Sequence, residues 1–254
     1  MPLYVWVLLL VSPSVKNSAW NSSTSLIAQL KAIPVGITVG FLLPSAALAL
    51  PEGLALLPFS KQERIAFWQP FPVWVSIANF IASKIIAIFS PSIPDGMLRR
   101  RLALRTCLRY LYAFGFAMAS TTHIASWGIS LTAMCFPTLF NAEAATALSP
   151  RNVFLNPMPW SSLKSESLGM GAHWLLQWDQ LTGTAGVLLW SLILYRSAHL
   201  SRGLAFNTCA TATKVLALCL LTGVAGAAVE LMWEREELLF QADDAHDNGT
   251  KKRV

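Results

Sequence analysis

The chain has 254 residues, 54% of them hydrophobic and only 13% charged, with a mean hydropathy of +0.51. That balance excludes an average soluble globule and points to a polytopic membrane protein. The net charge of +6 does not indicate nucleic-acid binding, because the basic residues collect in loops rather than over a face.

A crossing helix needs roughly 20 mostly apolar residues, and no strand-like alternation is present. The expected fold is therefore all-α, a polytopic transmembrane helical bundle over residues 33–233. A short apolar N-terminus and loop (1–32) precedes it, and a polar, disordered tail (234–254) follows. The first eleven residues, MPLYVWVLLLV, are too short for a comfortable crossing and lack the basic n-region and cleavage site of a signal peptide. They read as a partial first span, as a truncated chain start would leave. Five strong spans follow in order: 33–57, 65–89, 108–139, 172–195 and 215–233.

Charge sets their orientation. Arg99, Arg100, Arg101, Arg105 and Arg109 crowd the connection after the second strong span, and Arg196, Arg202 and Lys214 lie between the fourth and fifth. Both connections are expected on the cytoplasmic side, with loop 140–171 and the acidic tail on the lumenal side. In this frame Glu52, Asp179 and Glu230, from three different spans, fall near one lumenal level. Gln69 and His173 share it, and His123 lies nearer the midplane.

Asp179 carries the most information. A carboxylate in hydrocarbon costs several kcal/mol unless it faces protein or water, so an intramembrane acid is by default a functional residue. Its neighbours are aromatic and polar: Trp174 and Trp178 at i, i+4, with Gln177 and Gln180. A second aromatic concentration, FWQPFPVWV, sets Phe67, Trp68, Phe71 and Trp74 around Pro70 and Pro72. It reads either as an interfacial belt or as a cavity lining whose ring faces stabilise a cation.

Other chemistries find little support. Cys107, Cys135, Cys209 and Cys219 lack metal-ligand spacing and read as small buried hydrophobes. There is no HExxH, no phosphate-binding Gly-rich loop and no GxSxG elbow. The sequence Asp243-Asp244-Ala245-His246-Asp247 spells a DDxxD magnesium-diphosphate motif, but it stands in the polar tail and is read as solvated. No metal and no cofactor are expected.

The runs WQPFPVW (Trp68 to Trp74), HWLLQWDQLTG (His173 to Gly183) and LLPSAALALP resemble the fungal membrane-bound terpene cyclases of meroterpenoid and indole-diterpene pathways, the ascofuranone and paxilline cyclase group. The resemblance implies an endoplasmic-reticulum enzyme that cyclises a prenylated small molecule by protonating an epoxide or a terminal alkene. A pathway prenyltransferase and epoxidase would be its partners. The residues fit such chemistry. Asp179 or Glu52 would be the acid, kept protonated by desolvation. Trp68, Trp74, Trp174 and Trp178 would stabilise the cation, Gln69 or His173 would orient the acid, and Glu230 would line the pocket. The competing reading is a non-catalytic membrane protein, either a small proton-coupled transporter or a pathway scaffold.

Overall fold

The computed structural model describes residues 24–50, 59–89, 97–158, 160–165 and 167–251. Every regular element among them is helical. They divide into two compact units, one ending at Phe114 and the other beginning at Gly115.

In the first unit, α1 (Thr24–Ile37) runs through a π-helical turn (Thr38–Leu42) into α2 (Leu43–Ala49). Pro34 lies inside α1, and the Thr38 hydroxyl donates to its carbonyl at 2.7 Å. A short helix, α3 (Lys61–Trp68), leads into α4 (Phe71–Phe89), which lies along α1. The α3 start is a capping box. The Ser60 backbone N–H and hydroxyl both donate to Glu63 at 2.8 Å and hold its carboxyl below the usual value. Buried Arg64 then donates to the carbonyls of Ala47 (3.0 Å) and Leu50 (2.7 Å), satisfying acceptors that a helix end leaves free.

Gly36 and Gly40 are the reason α1 and α4 lie so close. A methyl at Gly40 would stand 2.4 Å from the Val75 backbone nitrogen, and one at Gly36 would stand 2.9 Å from Asn79 Cβ. Their spacing is the GxxxG by which membrane helices bring their backbones together. The helix α5 (Met97–Cys135) begins in this unit, where its Leu104, Cys107 and Leu108 are buried, as are Ile27, Ala28 and Ala32 of α1. Cys107 Sγ lies 3.8 Å from the Ile27 carbonyl.

The second unit holds the rest of α5, then α6 (Ala142–Ala147), α7 (Pro150–Phe154), α8 (Leu168–Ser201) and α9 (Thr208–Lys251). Ser167 caps the start of α8. Its end is a Schellman turn: Gly203 takes φ 67°, and the N–H groups of Leu204 and Gly203 bond back to His199 and Leu200.

Helix α9 is a hairpin. Gly223 has φ 78° and ψ 169°, outside helical space, and Lys214 forms an ion pair with Glu234 across it. Twenty residues of straight helix would separate those side chains by about 30 Å, so the chain must turn back. Tyr195 also lies within electrostatic reach of Glu234, and an Arg202 guanidinium nitrogen lies 3.4 Å from the Leu239 carbonyl. The returning arm therefore runs alongside α8 in the same direction. Ala227, Ala228 and Leu231 are buried along that arm, and Ser191 is buried on α8.

Among the described residues, three segments are long and apolar enough to cross a membrane: Leu26–Ala49, Phe71–Phe89 and Thr208–Gln241. They match the first, second and fifth expected spans. The third and fourth expected spans lie on α5 and α8, whose apolar runs are diluted by Ser120, Thr121, Thr122 and His123 and by Trp174, Gln177, Asp179 and Gln180. The break at Gly223 divides the fifth. The helix also runs past 233, where a tail was expected, to Lys251, and Lys214 and Arg235 pair with Glu234 and Glu236 on its continuation. Cys107 is buried as expected, whereas Cys135 and Cys209 are exposed.

Candidate active site

The second unit joins aromatic and polar groups from three elements. Phe154, at the end of α7, stacks on Trp127 of α5 with centroids 4.1 Å apart. The backbone on either side of Phe154 is tied to α8: Gln177 Nε2 donates to the Val153 carbonyl, and Trp178 Nε1 donates to the Pro157 carbonyl at 3.0 Å. Segment 153–157 thus straps the α8 wall to α5. Gln177 and Trp178 are half-buried beneath it, as is Trp174 one turn earlier.

Asp179 follows Trp178 directly but points to an exposed face, together with Leu175 and Leu176. His173 is exposed as well. The burial expected for Asp179 is thus absent, because successive helical residues point about 100° apart and the tether claims Gln177 and Trp178. What the fold supplies instead is a carboxyl at the edge of an aromatic wall.

His123, one turn before Trp127, sits against the hairpin apex. Its Nε2 lies 3.1 Å from the Leu220 carbonyl, one of the acceptors released by the break at Gly223. Unpaired backbone groups at membrane depth cost several kcal/mol each, and broken helices persist only where protein or water supplies partners. The Thr222 hydroxyl bonds the Leu218 carbonyl at 2.8 Å. Gly223 lies nine residues beyond Lys214, about 13 Å further along the arm.

Glu230 belongs to another neighbourhood. It is half-buried within electrostatic reach of Glu234 and Lys214, on the arm that runs beside Tyr195. Asp179 precedes Tyr195 by 16 residues, about 24 Å along α8, so these two acids do not share the level expected of them. The reversal at Gly223 is the cause. Glu52 lies outside the described residues.

In the first unit Trp68, Phe41 and Phe71 form one cluster, with centroids 4.9 to 6.3 Å apart, while Trp74 stacks on Phe67 at 5.3 Å. Trp68 Nε1 donates to Ser45 Oγ at 2.9 Å, and Trp74 Nε1 to the Phe67 carbonyl at 2.8 Å. Gln69 is exposed. The residues that sequence reasoning missed are Trp127 and Phe154. The i, i+4 spacing of His123 and Trp127 was a usable signal for the first; Phe154 had none.

Among the described residues, an all-helical architecture with three membrane-length apolar segments fits a membrane protein. Residues 1–240 match the CtvD domain family, and the chain belongs to that family. It is 30% identical over 242 residues to terpene cyclase ctvD of Aspergillus terreus, covering 93% of this chain and 63% of that protein. Terpene cyclase ascI of Acremonium egyptiacum is 30% identical over 261 residues, 99% of this chain and 62% of its own length. Terpene cyclase penA of Penicillium crustosum is 28% identical over 163 residues, 64% of this chain and 42% of its own. The chain thus spans less than two thirds of the length of these relatives. No solved structure matches it.

Proposed function

We propose that this protein is a membrane-bound terpene cyclase of the endoplasmic reticulum. Its substrate would be a prenylated meroterpenoid or indole-diterpene precursor of secondary metabolism, bearing an epoxide or a terminal alkene. The observation that carries this reading is the similarity to relatives named terpene cyclases along 93% and 99% of the chain. In this account α5 and α8 cross the bilayer with the two apolar segments of the first unit, and Thr208–Gln241 is the fifth membrane segment, folded back on itself.

Cyclisation starts when a carboxylic acid, Asp179 or Glu52, protonates the epoxide or alkene. The cation then needs aromatic faces, each worth about 2 kcal/mol or more when desolvated. Trp174 and Trp178 supply them beside Asp179, with Trp68 and Trp74 as the aromatic groups of the first unit. Gln69 and His173 are the proposed orienting groups, whereas Glu230, beside Glu234 and Lys214, stands apart from the Asp179 wall. Water must be kept out until the last step. The 153–157 strap supports this by holding the Trp178 wall in one geometry. A pathway prenyltransferase and epoxidase would supply the substrate.

Microsomes carrying the protein, given epoxidised and non-epoxidised prenylated precursors, test the reading by mass spectrometry and NMR of the products. Ring-closed isomers of the substrate are expected, and unchanged precursors would contradict it. The transporter reading draws on the broken helix at Gly223, a feature of many transporters. It predicts uptake into sealed vesicles without chemical change.

A further inference from the structure

The chain from Leu148 to Pro157 is held from two helices at once. On the α5 side, Ser130, 1% exposed, donates its hydroxyl to the Leu148 carbonyl at 2.7 Å, and Trp127, three residues earlier, stacks on Phe154 at an interplanar angle of 17°. On the α8 side, Gln177 donates to the Val153 carbonyl and Trp178 to the Pro157 carbonyl. Phe154 follows the first of these tethers directly, so the place of its ring depends on Gln177. Stability alone does not account for a glutamine there. A carbonyl only accepts, so the amide turns Nε2 to Val153 and leaves Oε1 buried with no hydrogen-bond donor among the described residues. An unmade buried acceptor costs free energy that an apolar side chain of the same shape would not. The stack also covers only part of the indole: Trp127 remains 38% exposed, and Trp178 is half-buried beside the exposed Asp179. Ring surface on both helices therefore stays open to an apolar ligand.

We propose that Gln177 is a positioning residue that decides which rings the cyclase closes. This rests on the cyclase reading and deepens it. Gln177 touches no reacting atom. It acts through Val153 on Phe154, and through Phe154 on the face of Trp127. With Trp178 tethered to the same segment, the rings of α5 and α8 form one mould of fixed spacing. After the initiating protonation the prenyl chain folds against that mould, and its successive cations meet the ring faces in an order the mould sets. Loosening it lets the cation end early. It then loses a proton to give an isomer with fewer rings, or it adds water, which gives up a proton, to form an alcohol. Initiation by Asp179 is untouched, because two residues separate it from Gln177 by about 160° round the helix.

The test compares Gln177→Met, Phe154→Leu, the double variant and Gln180→Met with the wild type, in microsomes given a prenylated precursor that the wild type cyclises. Gln177→Met keeps the length of the side chain without its donor. It is expected at normal abundance and still to consume substrate, with the ratio of fully cyclised to early-terminated products falling on the order of a hundredfold. Phe154→Leu should divert the products in the same way. The double variant should go no further than either alone, since both act on one contact. Gln180 is exposed on the same helix, and Gln180→Met should match the wild type. A wild-type product pattern from Gln177→Met overturns the proposal, as does a double variant in which the two diversions multiply. So does loss of Gln177→Met from the membrane, which would assign the tether to folding alone. If the wild type cyclises no precursor, the cyclase reading itself fails; a wild type that cyclises beside an unchanged Gln177→Met confines the failure to the positioning role.

Discussion

Lys214 and Glu234 are twenty positions apart on what the hydrogen-bond pattern runs together as one helix, and they form an ion pair. That relationship turns α9 into a hairpin with its apex at Gly223. The polar level of Tyr195, Lys214 and Glu234 lies at one height, and a short apolar tip lies above it. In the proposed membrane frame the tip stops near the middle of the bilayer, where His123 closes the break.

The hairpin predicts that residues on either side of α9 share one face of the membrane. Single cysteines placed at Asn207 and Asp247, in a background lacking the native cysteines, should react with an impermeant maleimide from the same side of sealed microsomes. Labelling from opposite sides would mean a single straight crossing.

The pair itself should be worth about 1 kcal/mol, since both side chains are only half-buried. Lys214→Met should lower the thermal midpoint in detergent by about 2–4 °C. The exchange Lys214→Glu with Glu234→Lys should recover much of that loss. Equal losses in the single and exchanged variants would show that the pairing does not hold the arms together.

Packing of the first unit depends on bare Cα atoms. Gly40→Ala places a methyl 2.4 Å from the Val75 backbone nitrogen, a contact relieved only by moving α4. We expect a loss of about 2 kcal/mol or more and reduced abundance in the membrane. Gly183→Ala, on α8, has nothing within 4 Å. It should be neutral or stabilise by up to about 1 kcal/mol, the helix-propensity difference. Folding yields of the two variants in the reverse order would contradict the close approach.

Helical class and three membrane-length apolar segments were legible because long apolar runs leave few alternatives. The pair Gly36 and Gly40, at GxxxG spacing, was visible too. The structure uses it as the face on which α1 approaches α4. The reversal at Gly223 was not legible, since a glycine inside an apolar run is common in membrane helices and the ion pair that requires the turn joins residues twenty apart. Trp178 was singled out as an aromatic beside an acid. Its partner is the Pro157 carbonyl, and a backbone carbonyl has no sequence signature. The common depth assigned to Glu230 and Asp179 failed for the same reason as the straight fifth span.

If a carboxylic acid starts the chemistry, Asp179→Asn should stop it. Asparagine keeps the size and polarity of the side chain but cannot act as a strong acid. Asp179 has no hydrogen-bond partner among the described residues to lose, so abundance should stay near wild type. Turnover of a confirmed prenylated substrate, measured by product mass in microsomes, should fall below detection. Glu52→Gln is run beside it, because either carboxyl is a candidate donor. Loss of activity in Glu52→Gln alone would move the donor to that residue. Full activity in both variants would contradict acid initiation by these groups.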